Sequence, residues 1–193
     1  MARPSHREKL LSEGLRVVHE RGFSGASVRD IVTAAGVPQG SFTNHFASKE
    51  EFGIEVLDLY FAGSREVIAK TLLNENLPPL VRLRSYIDIQ VERNSGDTMR
   101  NGCLLGNFGA EAIDHSERIR VRLVKIFEEV KTSVLKCLDA VSRAGQLRTD
   151  MPLPELAIFI VSSLQGAILL AKTERTPPAL QSFRNFMFST LLG

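Results

Sequence analysis

The chain of 193 residues contains no tryptophan, two tyrosines and two cysteines. Cys103 and Cys137 lack metal-ligand spacing, and no disulfide framework is expected of so few thiols, so a reducing cytoplasm is the expected compartment. Strand signals are nearly absent; the single Asn-Gly pair, Asn101-Gly102, lies between two helical patterns instead of between alternating runs. No phosphate-cradling glycine loop and no zinc-ligand set occurs, so no metal, no cofactor and no catalytic group is expected. A large excess of one charge sign is missing too: Lys+Arg number 24 and Asp+Glu 22, a net charge of +2. Residues 1–50 hold 7 basic and 5 acidic side chains and the remainder 17 of each, so the small excess sits in the N-terminal quarter with His6, His19 and His45. The most apolar run, Leu156 to Ala171, is broken by Ser162, Ser163 and Gln165 and falls short of the roughly 20 apolar residues of a membrane span. The N-terminal MARPSHREKL lacks the apolar run of a signal peptide. No membrane partner is expected.

What is present is helix. The composition, 44% hydrophobic and 24% charged, is that of a globular domain with material for a core. Ser5-x-x-Glu8 and Ser48-x-x-Glu51 are capping boxes, and Ser27-x-x-Asp30 is a looser version. Apolar periodicity predicts helices over about 6–21, 28–35, 38–45, 49–73, 79–95, 103–114, 117–144, 153–173 and 178–191. The expected fold is all-α with about nine helices: a three-helix head over residues 1–48 and a larger helical bundle over 49–193, with the fourth helix connecting the two.

The stretch SVRDIVTAAGVPQGSFTNHFASK, Ser27 to Lys49, reads as two short helices joined by a tight turn. Ile31, Val32 and Ala35 form one apolar stripe, Gly36 breaks the helix, Val37 plugs the turn and Pro38 restarts a helix. Phe42 and Phe46 face inward. Gln39, Gly40, Ser41, Thr43, Asn44 and His45 are left on an outer face that is polar and free of carboxylates, which suits a helix laid in the major groove of DNA. Arg29 and Lys49 place cations in the first turns of helices, where the macrodipole disfavours them. A phosphate shared with the backbone N–H groups would account for both. Gly40 in a short exposed helix costs about 1 kcal/mol against alanine, which makes sense where something must approach the backbone.

The pattern Gly22-Phe23, Ser27-Val28-Arg29-Asp30-Ile31, Ala35-Gly36-Val37, Gly40-Ser41-Phe42, His45-Phe46 and Ser48-Lys49-Glu50-Glu51 resembles the TetR family of bacterial transcriptional repressors over about residues 6–60. The resemblance implies a helix-turn-helix head on a homodimer, a double-stranded DNA operator, and a C-terminal core that senses an unknown small-molecule effector and tilts the heads apart. Carried over by position, Ser27 and Arg29 contact the DNA backbone, Gln39, Gly40, Ser41 and Asn44 face base edges, and His45 and Lys49 hold phosphates. Thr43 stands where the family usually has an aromatic, most often tyrosine. A threonine can bond a phosphate or touch a thymine methyl, with less reach.

In the C-terminal part, helices eight and nine form the dimer interface that the resemblance implies. The run from Leu156 to Ala171 is apolar on nearly all faces and requires burial on more than one side. Ile158, Ser162, Phe183, Phe186 and Met187 are the expected interface residues. Tyr86, Gln90, Cys103, Phe108, Phe127 and Gln165 are candidate pocket linings; the aromatics read equally well as ordinary core. Cys137 falls in the stripe Leu123, Phe127, Val130, Val134, Cys137, Val141 and reads as core. Cys103 opens a helix close to Arg100, and both features favour thiolate. Its Gly-Cys-Leu setting resembles the electrophile- and oxidant-sensing, NemR-type branch of the family.

Three functions compete. One is a dimeric repressor answering a hydrophobic or electrophilic ligand, with Cys103-based redox sensing as its variant. Another is a DNA-binding module without a small-molecule ligand. The third, a thiol enzyme, would need Cys103 beside His115, yet twelve helical positions span about 18 Å, so a non-enzyme is expected.

Overall fold

A computed structural model describes residues 5–191. The chain folds as α1 (His6–Arg21), α2 (Val28–Ala35), α3 (Gly40–His45), α4 (Lys49–Lys70), α5 (Pro79–Arg93), a 3-10 turn (Asp97–Arg100), α6 (Leu104–Glu111), α7 (Glu117–Arg143), α8 (Leu153–Glu174), α9 (Pro178–Phe186) and a closing π turn (Met187–Leu191). The described residues contain nine α-helices and no strand, in the expected order.

Local chemistry sets the boundaries. At α1 the Ser5 hydroxyl accepts from the Glu8 N–H, and the Glu8 carboxylate accepts from the Ser5 N–H at 2.7 Å. The looser signal at Ser27 forms an equally complete box: Ser27 Oγ accepts from the Asp30 N–H at 3.1 Å, and Asp30 Oδ2 accepts from the Ser27 N–H at 2.9 Å. Gly36 ends α2 in the left-handed conformation (φ 60°, ψ 40°), with the Val37 N–H reaching back to the Val32 carbonyl at 3.2 Å. Prolines open α5, α8 and α9, where a missing N–H leaves no bond unmade.

Several helices are shorter than their patterns, α3, α4, α6 and α9 most instructively. Pro38 and Gln39 form a turn ahead of α3, closed by the Ser41 N–H on the Pro38 carbonyl at 2.9 Å. Helix α4 stops at Lys70, where the Leu73 N–H reaches the Ile68 carbonyl and the winding loosens. Helix α6 covers only Leu104–Glu111, and α9 passes into the π turn after Phe186.

The chain packs as two compact units. The first runs to Gly63 and adds Leu104–Lys125, so it holds α1–α3, most of α4, α6 and the start of α7. Its core includes Leu10, Val18, Ile31, Phe42, Phe46, Phe52, Phe108 and Ile119, all nearly or fully buried. The second comprises Ser64–Cys103 and the chain from Ile126 onward. Leu83, Ile87, Val134, Cys137, Leu156, Ile160 and Met187 lie in its core. Helix α8 spans 22 residues, close to the expected 153–173, and by length and composition alone is apolar enough to cross a membrane. One face of it (Leu156, Ala157, Ile160, Leu164, Ala167, Ile168 and Ala171) is buried against its own unit.

Candidate nucleic-acid interface

The head is built on three phenylalanines. The Phe42 ring lies 5.3 Å from those of Phe46 and Phe52, and Phe46 meets Phe52 edge-on at 5.1 Å. All three are buried, and such aromatic pairs add to the gain from burial alone. Gly14 of α1 lets the helix close onto this cluster, because a Cβ there would collide with the Phe52 ring. Helices α2 and α3 both pack against α1. The short α3 is thus held by its inward aromatics, and its remaining side chains point elsewhere.

Gln39, Gly40, Thr43, Asn44 and His45 are exposed, as are Ser27 and Arg29 at the start of α2. Nothing stands within 4 Å of the place a Cβ would take at Gly40. No packing within the protein demands glycine there. Thr43 Oγ1 donates back to the Gly40 carbonyl at 3.1 Å, so its hydroxyl proton is engaged within the helix. The Ser27 hydroxyl is engaged in the capping box, and its second bond goes to Asp30 Oδ2. Asp30 in turn pairs with Arg21 at 2.8 Å. The Ser27 hydroxyl, the Ser27 N–H and then Arg21 hold the Asp30 carboxyl below the usual carboxylate range.

Two of the expected DNA contacts, Ser41 and Lys49, are engaged within the protein. Ser41 is only 7% exposed. A hydrogen bond of 3.3 Å joins its hydroxyl to His6 Nδ1, because position 41 neighbours the inward-facing Phe42 and turns toward α1. Lys49 is half-buried. Its ammonium donates to the Ser24 carbonyl at 3.5 Å and lies 4.7 Å from the centre of the Phe23 ring. Burial pulls its pKa down, and the Glu111 carboxylate opposes that shift.

In the second unit, Gln165 Nε2 donates to Cys103 Sγ at 3.6 Å. Burial, with the neighbouring Cys103 acting in the same direction, pushes the Tyr86 phenol well above its ordinary range. Tyr86, Cys103 and Gln165 therefore come together. Gln90 and Phe127 are half-buried in the same unit. Phe108 belongs to the first unit, where it is fully buried 4.8 Å from the Phe23 ring. Cys137 donates to the Pro79 carbonyl at 3.6 Å, and burial pushes its thiol up to about 11, as an inert core cysteine requires.

The expected interface residues divide. Ile158 (53% exposed), Ser162 and Phe186 are open to solvent. Phe183 (8%) and Met187 (0%) are instead buried in their own unit: α9 is amphipathic and Phe183 lies on its inner face with Leu180, while Met187 opens the π turn that follows. Sequence reasoning missed Phe159, Leu169 and Leu170, all exposed on α8. Their spacing from Ile158 (one, eleven and twelve positions) marks a second helical face and was available in the sequence. Glu111, whose carboxylate accepts from the Ser24 N–H at 3.1 Å, carried no local signal.

Residues 10–56 match the family model described as "Bacterial regulatory proteins, tetR family", and residues 79–187 match "Tetracyclin repressor-like, C-terminal domain". The HTH-type transcriptional repressor DhaR of Mycobacterium sp. (strain GP1) is 41% identical over 192 residues, covering 100% of this chain and 95% of that protein. The crystal structure of regulatory protein TetR from Rhodobacter sphaeroides superimposes with a TM-score of 0.88 at 29% identity, covering 96% of this chain and 98% of the other. The reduced form of Escherichia coli NemR does so with a TM-score of 0.84 at 27% identity, covering 96% and 97%. With a polar, carboxylate-free helix displayed on an aromatic-cored head and both halves of the chain matched, the protein belongs to the TetR family of bacterial transcriptional regulators.

Proposed function

We propose that the chain is a cytoplasmic repressor that holds a near-palindromic operator as a homodimer and releases it when a small hydrophobic or electrophilic ligand acts on its C-terminal helices. In this reading residues 1–48 read DNA, residues 49–193 carry dimerisation and ligand response, and α4 connects them. The observation that carries it is the exposed row Gln39, Gly40, Thr43, Asn44 and His45 on α3, with Arg29 exposed at the start of α2. Gln39 and Asn44 have the donor–acceptor pairs that read base edges; Arg29 and His45 suit phosphates. Tyr86, Gln90, Phe127 and Gln165 are the side chains offered to the ligand.

Binding to promoter duplexes, titrated against salt, tests this. Affinity falls linearly with log salt, and the preferred site is two-fold symmetric because the dimer is. Arg29→Ala weakens binding to all sequences alike and makes the salt slope shallower by about 1, whereas Asn44→Ala changes which sequence is preferred. Salt-independent binding, or a preferred site without symmetry, defeats the reading.

A second reading makes Cys103 the sensor, supported by its partial exposure and by the Gln165 amide and buried Tyr86 phenol around its sulfur. The same titration after N-ethylmaleimide treatment separates the two. Wild type loses operator binding and Cys103→Ser keeps it if the thiol is the switch; equal loss in both removes Cys103.

A further inference from the structure

Helix α6 belongs to the same compact unit as the head, and its last turn grips the α1–α2 loop. Phe108 and Glu111, three positions apart, share one face of α6. The Phe108 ring packs 4.8 Å from that of Phe23. Glu111 Oε2 accepts from the Ser24 N–H at 3.1 Å, a charge-assisted bond. The same carboxylate fills the space beside Gly22, where a Cβ would stand 2.5 Å from Oε1 and where φ is +79°. Lys49, at the start of α4, bonds the Ser24 carbonyl, lies over Phe23 and feels the Glu111 charge. Both polar groups of the Ser24 backbone are thus engaged by side chains from outside the loop, three residues before Ser27 caps α2.

From this we infer that Glu111 and Lys49 are positioning residues for the DNA-reading head. They hold the α1–α2 loop, and with it the start of α2, in the geometry that binds operator; neither contacts DNA. The inference rests on the DNA-binding reading above and changes the role of Lys49 within it from phosphate holder to brace. Fixing the loop in advance removes an ordering cost from binding.

Operator titrations of wild type, Glu111→Ala, Glu111→Gln and Lys49→Met over a salt series test this, with amide exchange followed at Ser24. Glu111→Ala is expected to weaken operator binding about tenfold without changing the salt slope, and to speed Ser24 exchange. Glu111→Gln, whose amide oxygen still accepts from Ser24, stays within about threefold. Lys49→Met keeps the packing on Phe23 and weakens binding at an unchanged slope, which serves as the test should Glu111→Ala fail to fold. Wild-type affinity or unchanged Ser24 protection in Glu111→Ala overturns the inference, and so does a slope shallower by about 1 in Lys49→Met. Failure of wild type to bind any duplex defeats the DNA-binding reading instead, while Ser24 exchange still reports on the brace.

Discussion

Gly40 and Gly22 show how differently two glycines in one head are constrained. At Gly22 a positive φ and the Glu111 carboxylate both exclude a side chain. At Gly40 the backbone is helical and the neighbouring space is empty. Alanine at position 40 should therefore leave the fold intact and favour the helix by up to about 1 kcal/mol. Gly40→Ala is expected to melt at the wild-type temperature or slightly above and, with α3 read as the proposed DNA-contacting helix, to bind operator more weakly because of the added methyl group. A loss of thermal stability would show that the glycine serves the protein. Lys49 and Ser41 make the complementary point. Both lie inside the motif, yet one turns to Phe23 and Ser24 and the other to His6.

Among the elements, α2 depends most visibly on a single carboxylate. Asp30 completes its capping box, pairs with Arg21 and has a depressed pKa. A carboxyl with a folded pKa below its unfolded value contributes stability that is fully present above the unfolded pKa, about 4. That stability is lost as pH falls through the folded pKa. Thermal unfolding measured from pH 6 down to pH 3 should fall more steeply for wild type than for Asp30→Asn, because the amide has no proton to take up. Parallel curves would remove Asp30 from the acid response. Glu50 is held in the same way: the Ser116 hydroxyl, which also caps α7, donates to it at 2.5 Å and Arg118 pairs with it at 3.1 Å. Capping boxes are legible in sequence because their partners are three residues apart. The Glu50–Ser116 bond, across 66 residues, is not.

For the whole molecule the decisive feature is the second face of α8. Leu169 is 62% exposed and Leu170 50%, while Ser162 and the open Gly166 lie between them and Ile158. Large apolar side chains flanking small ones suit close approach of another helix, and a two-fold related copy is the proposed occupant. Leu169→Glu should sediment as a monomer with wild-type helicity and should lose operator affinity, since one head binds only one half-site. A dimeric Leu169→Glu protein would place the interface elsewhere.

The sequence by itself determined the helices of the described residues and their order, most of their ends and the inward-facing aromatics of the head, because these rest on interactions within a few residues: caps, prolines, a left-handed glycine and apolar periodicity. The family came from the resemblance of the motif between Gly22 and Glu51 and from the matches to both halves of the chain. Only the tertiary structure decided that α6 packs with the head, that Phe183 and Met187 are buried where Phe159, Leu169 and Leu170 are open, and that Lys49 turns to the Ser24 carbonyl and the Phe23 ring. Which face of an apolar helix is covered, and where a long charged side chain ends, depends on neighbours far along the chain. Glu111 meets Ser24 across 87 residues, and no local pattern records such a meeting.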